Sequence, residues 1–529
     1  MSARTPHDIR YDASRDAEAV AHAVAWLRTH VASSANLHAD SRSLAAGDVF
    51  VAYAVDGADN RAHAAAASHH GAVCTLWHTA GGLKPPASIE HVLPVDHLDR
   101  LAGPIASVWY GEPSEAMQVI GITGTNGKTS CSHWIAHALS ATGVPCGVVG
   151  TLGVGLAGHL VETGFTTPDA PQLQRVVARL RGDGAKAVAM EVSSHALHQG
   201  RVNGVAFDVA VFTNLTQDHL DYHGTLDAYE AAKARLFDWP GLKAAVINRD
   251  DPAGVRLLAS LPAGVRAIAY GIGSWDAHDV VRATGAGDAA FASLVATDIR
   301  ATARGTAFHL ESDWGAADLE VATLGAFNVD NLLAVLGALL ASDVPFDAAL
   351  AQIAKVESVP GRMQRIGGKT AADEPLVVID YAHTPDALDK TLDALRPVAQ
   401  VRGGRLVCVF GCGGDRDAGK RPKMGAIAER RADQIVITSD NPRSEAPAAI
   451  IDQIAAGMSD PARARKIEDR ASAILQAIRA AAREDVVVIA GKGHEATQEI
   501  MGRKRAFSDL DHARLALSAR ATKPHAEGA

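Results

Sequence analysis

The chain has 529 residues, of which 47% are apolar and 21% charged, and its formal net charge is −9. This length exceeds what one hydrophobic core usually organises and predicts about three domains. The acidic balance excludes the broad basic surface typical of nucleic-acid-binding proteins, so we expect no nucleic-acid partner.

The first residues, MSARTPHDIRYDASRD, lack the apolar core of a secretory signal, and the apolar run 332–341 is too short to span a bilayer. We therefore expect a cytoplasmic protein with no membrane partner. The five cysteines are scattered and odd in number, which argues against a disulfide framework.

Short apolar runs and alanine-rich stretches up to about residue 110 predict a small α/β domain over 1–112. From Met117 onward, apolar runs at 118–122, 187–192, 205–213 and 244–248 alternate with helical segments. This alternation predicts a central, mainly parallel sheet over 113–347. Within it, we expect added antiparallel strands between 282 and 319 and a helix starting near Asn328.

Turn residues around Pro360 and Gly361 interrupt the periodic pattern and indicate a boundary, so we assign a third domain to 348–529. Four apolar runs, 376–379, 406–410, 434–438 and 486–490, predict a second doubly wound sheet there. The predicted fold class is therefore α/β. It comprises a small N-terminal α/β domain, a central P-loop-type sheet and a C-terminal Rossmann-like sheet.

The segment GITGTNGKTS, at 121–130, joins an apolar run to a glycine loop and a lysine–hydroxyl pair. Gly124 and Gly127 allow backbone N–H groups to approach phosphates, Lys128 can reach terminal phosphates and Thr129 can offer a hydroxyl to Mg²⁺. The first glycine of the general P-loop pattern is replaced by Ile122, so this is a shorter variant. The alternative is a plain glycine turn between strand and helix.

Two segments that follow strand-like runs supply candidate metal ligands. Glu191 ends the run AVAM, where a carboxylate can hold a cation, although it could instead cap a helix. The segment TNLTQDHLDYHG places Asp218, His219, Asp221 and His223 within six residues. This density predicts that one of them reaches the metal, the alternative being structural histidines.

The chain resembles the Mur ligases through a series of motifs in a characteristic order. They are GTNGKTS, MEVSSHAL, TNLTQDHLDYHG, YEAAKARLF, FNVDNLLA, DYAHTPDAL, FGCGGDRDAGKRP, DNPR and AGKGHE. The resemblance extends through all three predicted domains, is weakest in the first hundred residues, and includes the shortened loop.

The resemblance implies an ATP-dependent ligase that adds meso-2,6-diaminopimelate to UDP-N-acetylmuramoyl-L-alanyl-D-glutamate through an acyl phosphate, in peptidoglycan precursor synthesis. A monomer is expected. One alternative is a related ligase that uses another amino acid or a folate or amide substrate, against which DNPR and ADSRS argue. The other is a nucleotide-dependent switch that hydrolyses ATP and joins nothing.

The resemblance also assigns the nucleotide and metal site. It implies that Thr129, Glu191 and His219 bind Mg²⁺, and that CO₂ converts Lys233 to a carbamate that supports the metal. On the sequence alone, a lysine on a helix would be a solvated charge. Lys128, Lys233 and His219 are the expected catalytic residues. The expected ATP-binding residues are Gly124, Thr125, Asn126, Gly127, Lys128, Thr129, Ser130, Asn331 at adenine, and Asp380 and His383 across the interdomain cleft.

The muramoyl substrate is assigned in the same way, to two groups of residues. Hydroxyls and an arginine suit a ligand with diphosphate and carboxylates, although turn capping is the alternative for each hydroxyl. The segment AVDGADNR departs from the commoner glycine and histidine spacing of the family. The resemblance places Ser41, Asp56, Gly57 and Ala58 on the uridine nucleotide, and Thr166, Thr167, Ser193, Gln199 and Arg201 on the sugar-peptide part.

Three charged loops of the third domain, GCGGDRD, SDNPR and AGKGHE, each follow a strand-like run. If these strands are parallel, the loops meet at one edge and form an amino-acid pocket. Arg416 and Arg443 can bind carboxylates and Glu495 can accept from an ammonium, the alternative being surface ion pairs. DNPR matches the family's diaminopimelate motif, since lysine-adding relatives lack the arginine. The resemblance implies a diaminopimelate site of Arg416, Asp440, Asn441, Pro442, Arg443, Gly491 and Glu495.

Overall fold

The structure is a computed structural model that describes residues 9–273, 291–302, 305–368 and 373–521. The chain divides into two compact units. The first comprises Met1–Val295, Ser312–Gly315 and Asp330–Gln352, and the second Ala296–Glu311, Ala316–Val329 and Ile353–Ala529. Within the described ranges, no helix is both long and apolar enough to cross a membrane.

The N-terminal part of the first unit is built on a four-stranded parallel sheet. Its order is β1 (Leu37–His38), β2 (Val49–Ala52), β5 (Cys74–His78) and β6 (Val92–Val95), and a small hairpin of β3 (Ala54–Val55) and β4 (Ala58–Asp59) follows β2. The helices are α1 (Ala13–His30), α2 (Ala64–His69) and α3 (Leu98–Trp109). Helix α1 begins where the Asp12 carboxylate caps the Ser14 N–H at 2.9 Å, and it buries Val20, Val24 and Leu27 against this sheet.

The larger sheet of the first unit carries the glycine loop. Its strands are β7 (Gln118–Thr123), β8 (Cys146–Gly150), β9 (Gly153–Leu156), β10 (His159–Val161), β11 (Ala187–Glu191), β12 (Val209–Phe212), β13 (Ala244–Asn248) and β14 (Arg266–Ile272), in the order β10-β9-β8-β11-β7-β12-β13-β14. The strands from β8 to β14 in this order are parallel, and β9 and β10 add an antiparallel edge. The helices are α4 (Lys128–Ala141), α5 (Ala170–Gly182), α6 (Ser194–His198), α7 (Leu220–His223), α8 (Leu226–Ala234) and α9 (Pro252–Ser260).

Strand β7 lies between β11 and β12, and its register determines where the site forms. Ile122 pairs with Glu191, and Thr123 pairs with Phe212. Val119, Ile120 and Ile122 are fully buried, as expected of a strand covered on both faces. The carboxyl ends of three neighbouring strands therefore meet at one edge of the sheet.

Three further strands, β15 (Ala292–Ala301), β16 (Thr306–Ser312) and β17 (Gly315–Val321), follow one another as neighbours. Only Asp313 and Trp314 connect β16 to β17, which requires antiparallel neighbours, as predicted for this region. The part of that prediction at 282–290 lies outside the described residues. Helices α10 (Ala326–Ala341) and α11 (Phe346–Ile353) come next.

The second unit contains a six-stranded sheet in the order β18-β19-β23-β20-β21-β22. Its strands are β18 (Gln364–Gly367), β19 (Leu376–Asp380), β20 (Leu406–Phe410), β21 (Gln434–Ile437), β22 (Ala464–Lys466) and β23 (Val486–Ala490), and all but β18 are parallel. A separate hairpin consists of β24 (Thr497–Ile500) and β25 (Arg503–Ala506). The helices are α12 (Pro385–Arg402), α13 (Lys420–Arg431), α14 (Pro447–Ala455), α15 (Arg470–Ala480) and α16 (Asp509–Ala521).

The predicted fold class, α/β with mainly parallel sheets, is confirmed. One predicted strand, at 205–213, is shorter than expected. Gly204 has a φ of 81°, the Val205 N–H bonds the Val202 carbonyl at 3.1 Å, and β12 starts only at Val209. An apolar run at a turn was thus mistaken for strand.

Candidate functional site

The glycine loop after β7 has no room for side chains at its two key glycines. Gly124 has a φ of 144°, and a Cβ there would lie 1.9 Å from Thr213 Oγ1. Gly127 has a φ of 89°, and a Cβ there would lie 2.3 Å from Asn331 Oδ1. Both positions need glycine for conformation and for space. The second contact also brings Asn331, the predicted adenine residue, against the loop.

The segment after β12 holds the loop in shape. The Asn214 carbonyl accepts from the Thr125 N–H at 2.8 Å, and Asn214 Oδ1 accepts from the Asn126 N–H at 3.0 Å. Thr213 Oγ1 donates to the Asn126 carbonyl at 2.6 Å. We did not predict Thr213 or Asn214 as site residues. Their position in TNLT, directly after a strand of the same sheet, was the available signal.

Helix α4 begins at Lys128 with Gly127 as its N-cap. The positive end of the helix dipole thus lies at the loop, where it favours phosphate. Lys128 Nζ donates to the carbonyls of Gly124 at 2.7 Å and Thr125 at 2.8 Å, so its ammonium is held beside the loop. Ser130 is buried in the first turn of this helix. The arrangement can bind the phosphates of a nucleotide.

Glu191, at the end of β11, is 1% exposed and accepts three hydrogen bonds. They come from Thr129 Oγ1 at 3.1 Å, the Thr151 N–H at 2.9 Å and Thr151 Oγ1 at 3.1 Å. The following helix is instead capped by Ser193, whose Oγ accepts from the Ala196 N–H at 3.1 Å. The helix-cap interpretation of Glu191 is therefore wrong, and its carboxylate lies beside the hydroxyl predicted to bind Mg²⁺.

Lys233 is not a solvated lysine, because its side chain is 2% exposed. Its Nζ donates to the Gly124 carbonyl at 2.8 Å and lies 4.4 Å from the centre of the Tyr229 ring. Burial, and then the positive charge of Lys128, lower the pKa of Lys233 well below its ordinary value. A buried amine with a lowered pKa is available in its neutral form, which is the form that reacts with CO₂.

His219 lies in the same neighbourhood, with a φ of 52° and a ring 6.1 Å from that of Tyr229. Burial lowers the pKa of His219, so its imidazole is available as a neutral ligand. Burial also lowers the pKa of His195 and of His223 to about 4. Within the described ranges, no three side chains of His, Cys, Asp or Glu converge to hold a metal. A hydroxyl and a carboxylate in contact, Thr129 and Glu191, nevertheless offer the oxygen ligands that Mg²⁺ prefers.

The residues predicted to bind the sugar-peptide part of the substrate form one network behind Glu191. Thr167 Oγ1 donates to the Glu191 carbonyl at 2.9 Å and accepts from the Ser193 N–H at 3.2 Å. Arg201 Nη1 donates to the Thr167 carbonyl at 3.2 Å, and its Nε donates to Gln199 Oε1 at 2.8 Å. The structure thus brings Thr167, Ser193, Gln199 and Arg201 together.

Thr166 connects to this region through Thr151, a residue that we did not predict. Their hydroxyl oxygens are 3.0 Å apart, and the Thr151 hydroxyl also donates to Glu191 Oε2. Because a hydroxyl has a single proton, Thr151 must then accept from Thr166. Thr151 therefore joins a predicted substrate residue to a predicted metal ligand.

We expect Thr151→Val to lower kcat about tenfold, because Glu191 loses one of its hydrogen bonds, a contact of about 1.5 kcal/mol for a charged acceptor. Steady-state phosphate release would measure the effect. Thr142→Val is the matched control, since among the residues that the structure describes that hydroxyl bonds only the carbonyls of Ala138 and Leu139 at the end of α4. A Thr151→Val rate within twofold of the parent would contradict this role.

Asp56 faces the same network from the N-terminal part of the unit. Its carboxylate accepts from His198 Nδ1 at 3.0 Å and from the Tyr222 hydroxyl, and Gln199 Nε2 donates to that hydroxyl at 3.0 Å. The His198 hydrogen bond holds the pKa of Asp56 below its usual value. His198 and Tyr222 were not predicted, although Tyr222 lies inside the histidine-rich motif.

The other predicted uridine residues have simpler surroundings. Ser41 is buried, and its carbonyl accepts from His70 Nδ1 at 2.8 Å. Gly57 has a φ of 80°, which favours glycine, and Ala58 is exposed on β4. Uridine binding by these residues stays a prediction.

Tyr222→Phe is expected to raise KM for the UDP-linked substrate about fivefold and to leave KM for ATP unchanged. The hydroxyl bridges Asp56 and Gln199, and losing such a hydrogen bond costs about 1 kcal/mol. Initial rates at varied concentrations of each substrate would separate the two constants. An equal rise in both would show that the substitution disturbs the unit generally.

In the second unit, the three predicted loops do meet. Strands β20, β21 and β23 are parallel, with Phe410 paired to both Ile437 and Ala490 at their carboxyl ends. The Gly414 N–H donates to the Asn441 carbonyl at 2.9 Å, and Arg443 Nη1 donates to the Gly414 carbonyl at 2.7 Å. Asn441 Nδ2 in turn donates to Glu495 Oε2 at 2.8 Å.

Four further residues complete the predicted pocket: Asp440, Pro442, Gly491 and Arg416. A Cβ at Gly491, whose φ is 117°, would lie 2.4 Å from Asp440 Oδ2, so glycine there makes room for the carboxylate. Burial raises the pKa of Asp440. A Cβ at Gly414 would lie 2.0 Å from the Pro442 carbonyl oxygen, so glycine there makes room for this carbonyl. Arg416 is exposed and makes no hydrogen bond or ion pair with any residue in the described part of the chain.

Asp380 and His383 also lie in the second unit. The Asp380 carboxylate accepts from the N–H groups of Met363 at 2.8 Å and Ala382 at 2.9 Å, and from Thr391 Oγ1 at 3.1 Å. His383 Nδ1 donates to the Tyr381 carbonyl at 2.9 Å, and burial lowers the pKa of His383. Asp380 therefore holds the turn after β19. Contact of either residue with a nucleotide stays a prediction.

Comparison with known proteins identifies the family. The Mur ligase middle domain matches residues 122–339, and the Mur ligase, glutamate ligase domain matches residues 361–493. A protein of Ralstonia nicotianae named UDP-N-acetylmuramoyl-L-alanyl-D-glutamate–2,6-diaminopimelate ligase is 57% identical over 94% of this chain and 95% of its own length. The chain belongs to the Mur ligase family.

The family assignment is supported over nearly the whole length. A protein of the same name from Janthinobacterium sp. is 51% identical over 95% of this chain and 97% of its own. A solved structure of a ligase with this name is 36% identical, with a TM-score of 0.63, and covers 92% of this chain and 95% of that one. This Mur ligase thus has the α/β fold of its relatives and is an ATP-dependent enzyme that forms amide bonds.

Proposed function

We propose that this Mur ligase adds meso-2,6-diaminopimelate to UDP-N-acetylmuramoyl-L-alanyl-D-glutamate, consuming ATP. The observation that carries the proposal is the loop cluster of the second unit, where Arg443 and Glu495 are joined through Asn441 and Gly414. A guanidinium and a carboxylate in one cluster suit a ligand with a distal carboxylate and a distal ammonium. The names of relatives up to 57% identical support the same substrates.

The reaction requires a phosphoryl transfer followed by an acyl transfer. A carboxylate oxygen of the UDP-linked substrate attacks the γ-phosphorus, the bond to ADP breaks, and an acyl phosphate forms. The neutral amine of diaminopimelate then attacks the acyl carbon, inorganic phosphate leaves, and the nitrogen loses a proton. Lys128 and the amino end of α4 stabilise the phosphoryl charge as it moves.

We further propose that Thr129, Glu191 and His219 hold Mg²⁺, with Lys233 as a carbamate supporting the metal. The contact between Thr129 Oγ1 and Glu191, and the buried, readily neutral amine of Lys233, favour this set. Mg²⁺ would neutralise phosphate charge when bound. We extend the proposal to a division into a UDP-muramoyl domain (1–112), an ATP domain (113–347) and an amino-acid domain (348–529), and to a cytoplasmic monomer.

Product analysis tests the proposal. The enzyme would receive ATP, UDP-N-acetylmuramoyl-L-alanyl-D-glutamate and one amino acid at a time, either meso-diaminopimelate, lysine, alanine or glutamate, and products would be weighed by mass spectrometry. We expect an adduct with diaminopimelate and phosphate release only when all three substrates are present. Phosphate release from ATP alone would favour a switch. An adduct with lysine in preference to diaminopimelate would refute the proposed substrate.

A further inference from the structure

Lys492, in the AGKGHE loop after β23, is a buried lysine to which the proposed reaction assigns no role. Its side chain is 0% exposed. Its Nζ donates to Glu495 Oε2 at 2.8 Å and to Asn441 Oδ1 at 3.1 Å. A buried ammonium is tolerated only when it is paired and hydrogen-bonded, so this lysine depends on the two pocket residues that it contacts.

These contacts fix the orientation of Asn441. Its Oδ1 accepts from Lys492 and from the Glu499 N–H at 3.0 Å, while its Nδ2 donates to Glu495 Oε2 at 2.8 Å. With Oδ1 facing two donors, the reversed amide would lose every one of these bonds. Asn441 and Lys492 therefore act together on a single oxygen of Glu495.

The other oxygen of Glu495 is left available. Oε2 accepts two hydrogen bonds, whereas Oε1 accepts none from the described part of the chain. Glu495 is partly exposed, so Oε1 can meet a ligand. Burial would raise the pKa of Glu495, but Lys492 and its hydrogen bond outweigh burial and keep that pKa low. The carboxylate is thus held as an anion with one free oxygen.

The charges around the loop also support a pairing of Lys492 with Glu495. Asp440 is buried next to this cluster, and the neighbouring Arg470 is already paired with Asp509 through two bonds of 2.7 Å. In the described part of the chain, Lys492 is the cation that forms an ion pair with Glu495, at 2.8 Å. With this pair neutral overall, a substrate end that carries both an ammonium and a carboxylate can enter without leaving a charge unpaired.

We propose that Lys492 is a positioning residue, which orients Glu495 so that its free oxygen accepts the distal ammonium of the amino-acid substrate and so selects a diamino acid. This inference rests on the proposed function. Lys492 acts through Glu495 and touches no reacting atom.

The test compares meso-diaminopimelate with 2-aminopimelate, which keeps both carboxylates and lacks the second amine. KM for the first and Ki of the second as a competitor would be measured for the parent enzyme, Lys492→Met and Lys492→Gln. We expect KM for diaminopimelate to rise about tenfold in both variants, while Ki of 2-aminopimelate and KM for ATP change less than about twofold. Lys492→Gln keeps a donor without the charge, and it serves if the methionine variant does not fold.

A second comparison isolates the route through Glu495. In a Glu495→Gln background, adding Lys492→Met should change KM for diaminopimelate less than about twofold. Lys466→Met is the matched control, since Lys466 is a more exposed lysine of the same unit paired with Asp452 at 2.8 Å. It should change neither constant.

The outcomes separate the two proposals. A parent enzyme that makes no diaminopimelate adduct would refute the proposed function. A parent that makes the adduct, with variants that lose both amino acids equally or that keep a tenfold effect without Glu495, would refute only the role of Lys492.

Discussion

Replacing Lys233 with methionine is expected to lower the rate of ligation on the order of a thousandfold, which corresponds to about 4 kcal/mol of transition-state stabilisation. Lys233→Arg should be equally impaired, because a guanidinium keeps the positive charge and cannot form a carbamate. A simple requirement for a cation would instead be met by arginine. The pair of variants therefore distinguishes the charge of lysine from its chemistry.

The environment of Lys233 explains this expectation. An ammonium has three N–H donors, yet within the described ranges the only hydrogen-bond acceptor of Nζ is the Gly124 carbonyl, with the Tyr229 ring beside it. A carbamate retains one N–H, which can keep that bond. Lys128 Nζ donates to the same Gly124 carbonyl. A negative group at Lys233 would therefore replace the repulsion between the two ammonium groups with an attraction to Lys128.

Two measurements check this prediction. Phosphate release gives the rate, and ¹³C NMR after incubation with labelled bicarbonate should show a carbamate carbon in the parent enzyme that is absent from Lys233→Arg. Lys243→Met is the control, because Lys243 is an exposed lysine of the same unit paired with Asp208 at 2.7 Å. An active Lys233→Arg enzyme would contradict the carbamate assignment.

Much of the fold follows from local patterns. The helix predicted to start near Asn328, observed as α10 from Ala326, and the four main strands of the second unit lie where apolar runs and turn residues predict them. These features depend on contacts between near neighbours in the sequence, which periodicity records. The short strand β22 and the hairpin of β24 and β25 are not marked by long apolar runs, and we did not predict them.

Some residues of the candidate site could not be predicted from the sequence. Glu191 could be assigned because a carboxylate at the end of a buried strand is unusual. Thr151 and Tyr222 could not, because their roles come from partners 40 and 166 positions away, in Glu191 and Asp56. Lys492 lies within the AGKGHE motif, yet its complete burial arises only when three loops meet. Sequence patterns identify chemistry-bearing residues more readily than the residues that orient them.

Arg443→Ala directly tests which residue selects the amino-acid substrate. We expect KM for diaminopimelate to rise about a hundredfold and KM for ATP to stay within about threefold. A bidentate bond between a guanidinium and a carboxylate is worth roughly 2–3 kcal/mol, and each 1.4 kcal/mol is about tenfold in affinity. Arg443 has a φ of 52°, but alanine also carries a Cβ, so the backbone cost is the same before and after the change.

The structure leaves this guanidinium well placed for such a bond. Its Nη1 donates to the Gly414 carbonyl at 2.7 Å, which fixes the side chain. Among the described residues, the nearest carboxylate oxygen, on Glu499, is 3.9 Å from Nε, too far for a hydrogen bond. Arg443→Lys keeps the charge without the planar fork, so its KM should fall between the parent and alanine values.

Lysine provides the decisive comparison, because it resembles diaminopimelate without the distal carboxylate. Arg443→Ala should therefore lower the use of diaminopimelate to the level at which the enzyme uses lysine, and leave the rate with lysine almost unchanged. Arg505→Ala, at an exposed arginine of the β24–β25 hairpin in the same unit, should alter neither amino acid. Equal losses for diaminopimelate, lysine and ATP would mean that Arg443 supports the fold of the loops, and the carboxylate contact would have to be assigned to Arg416 instead.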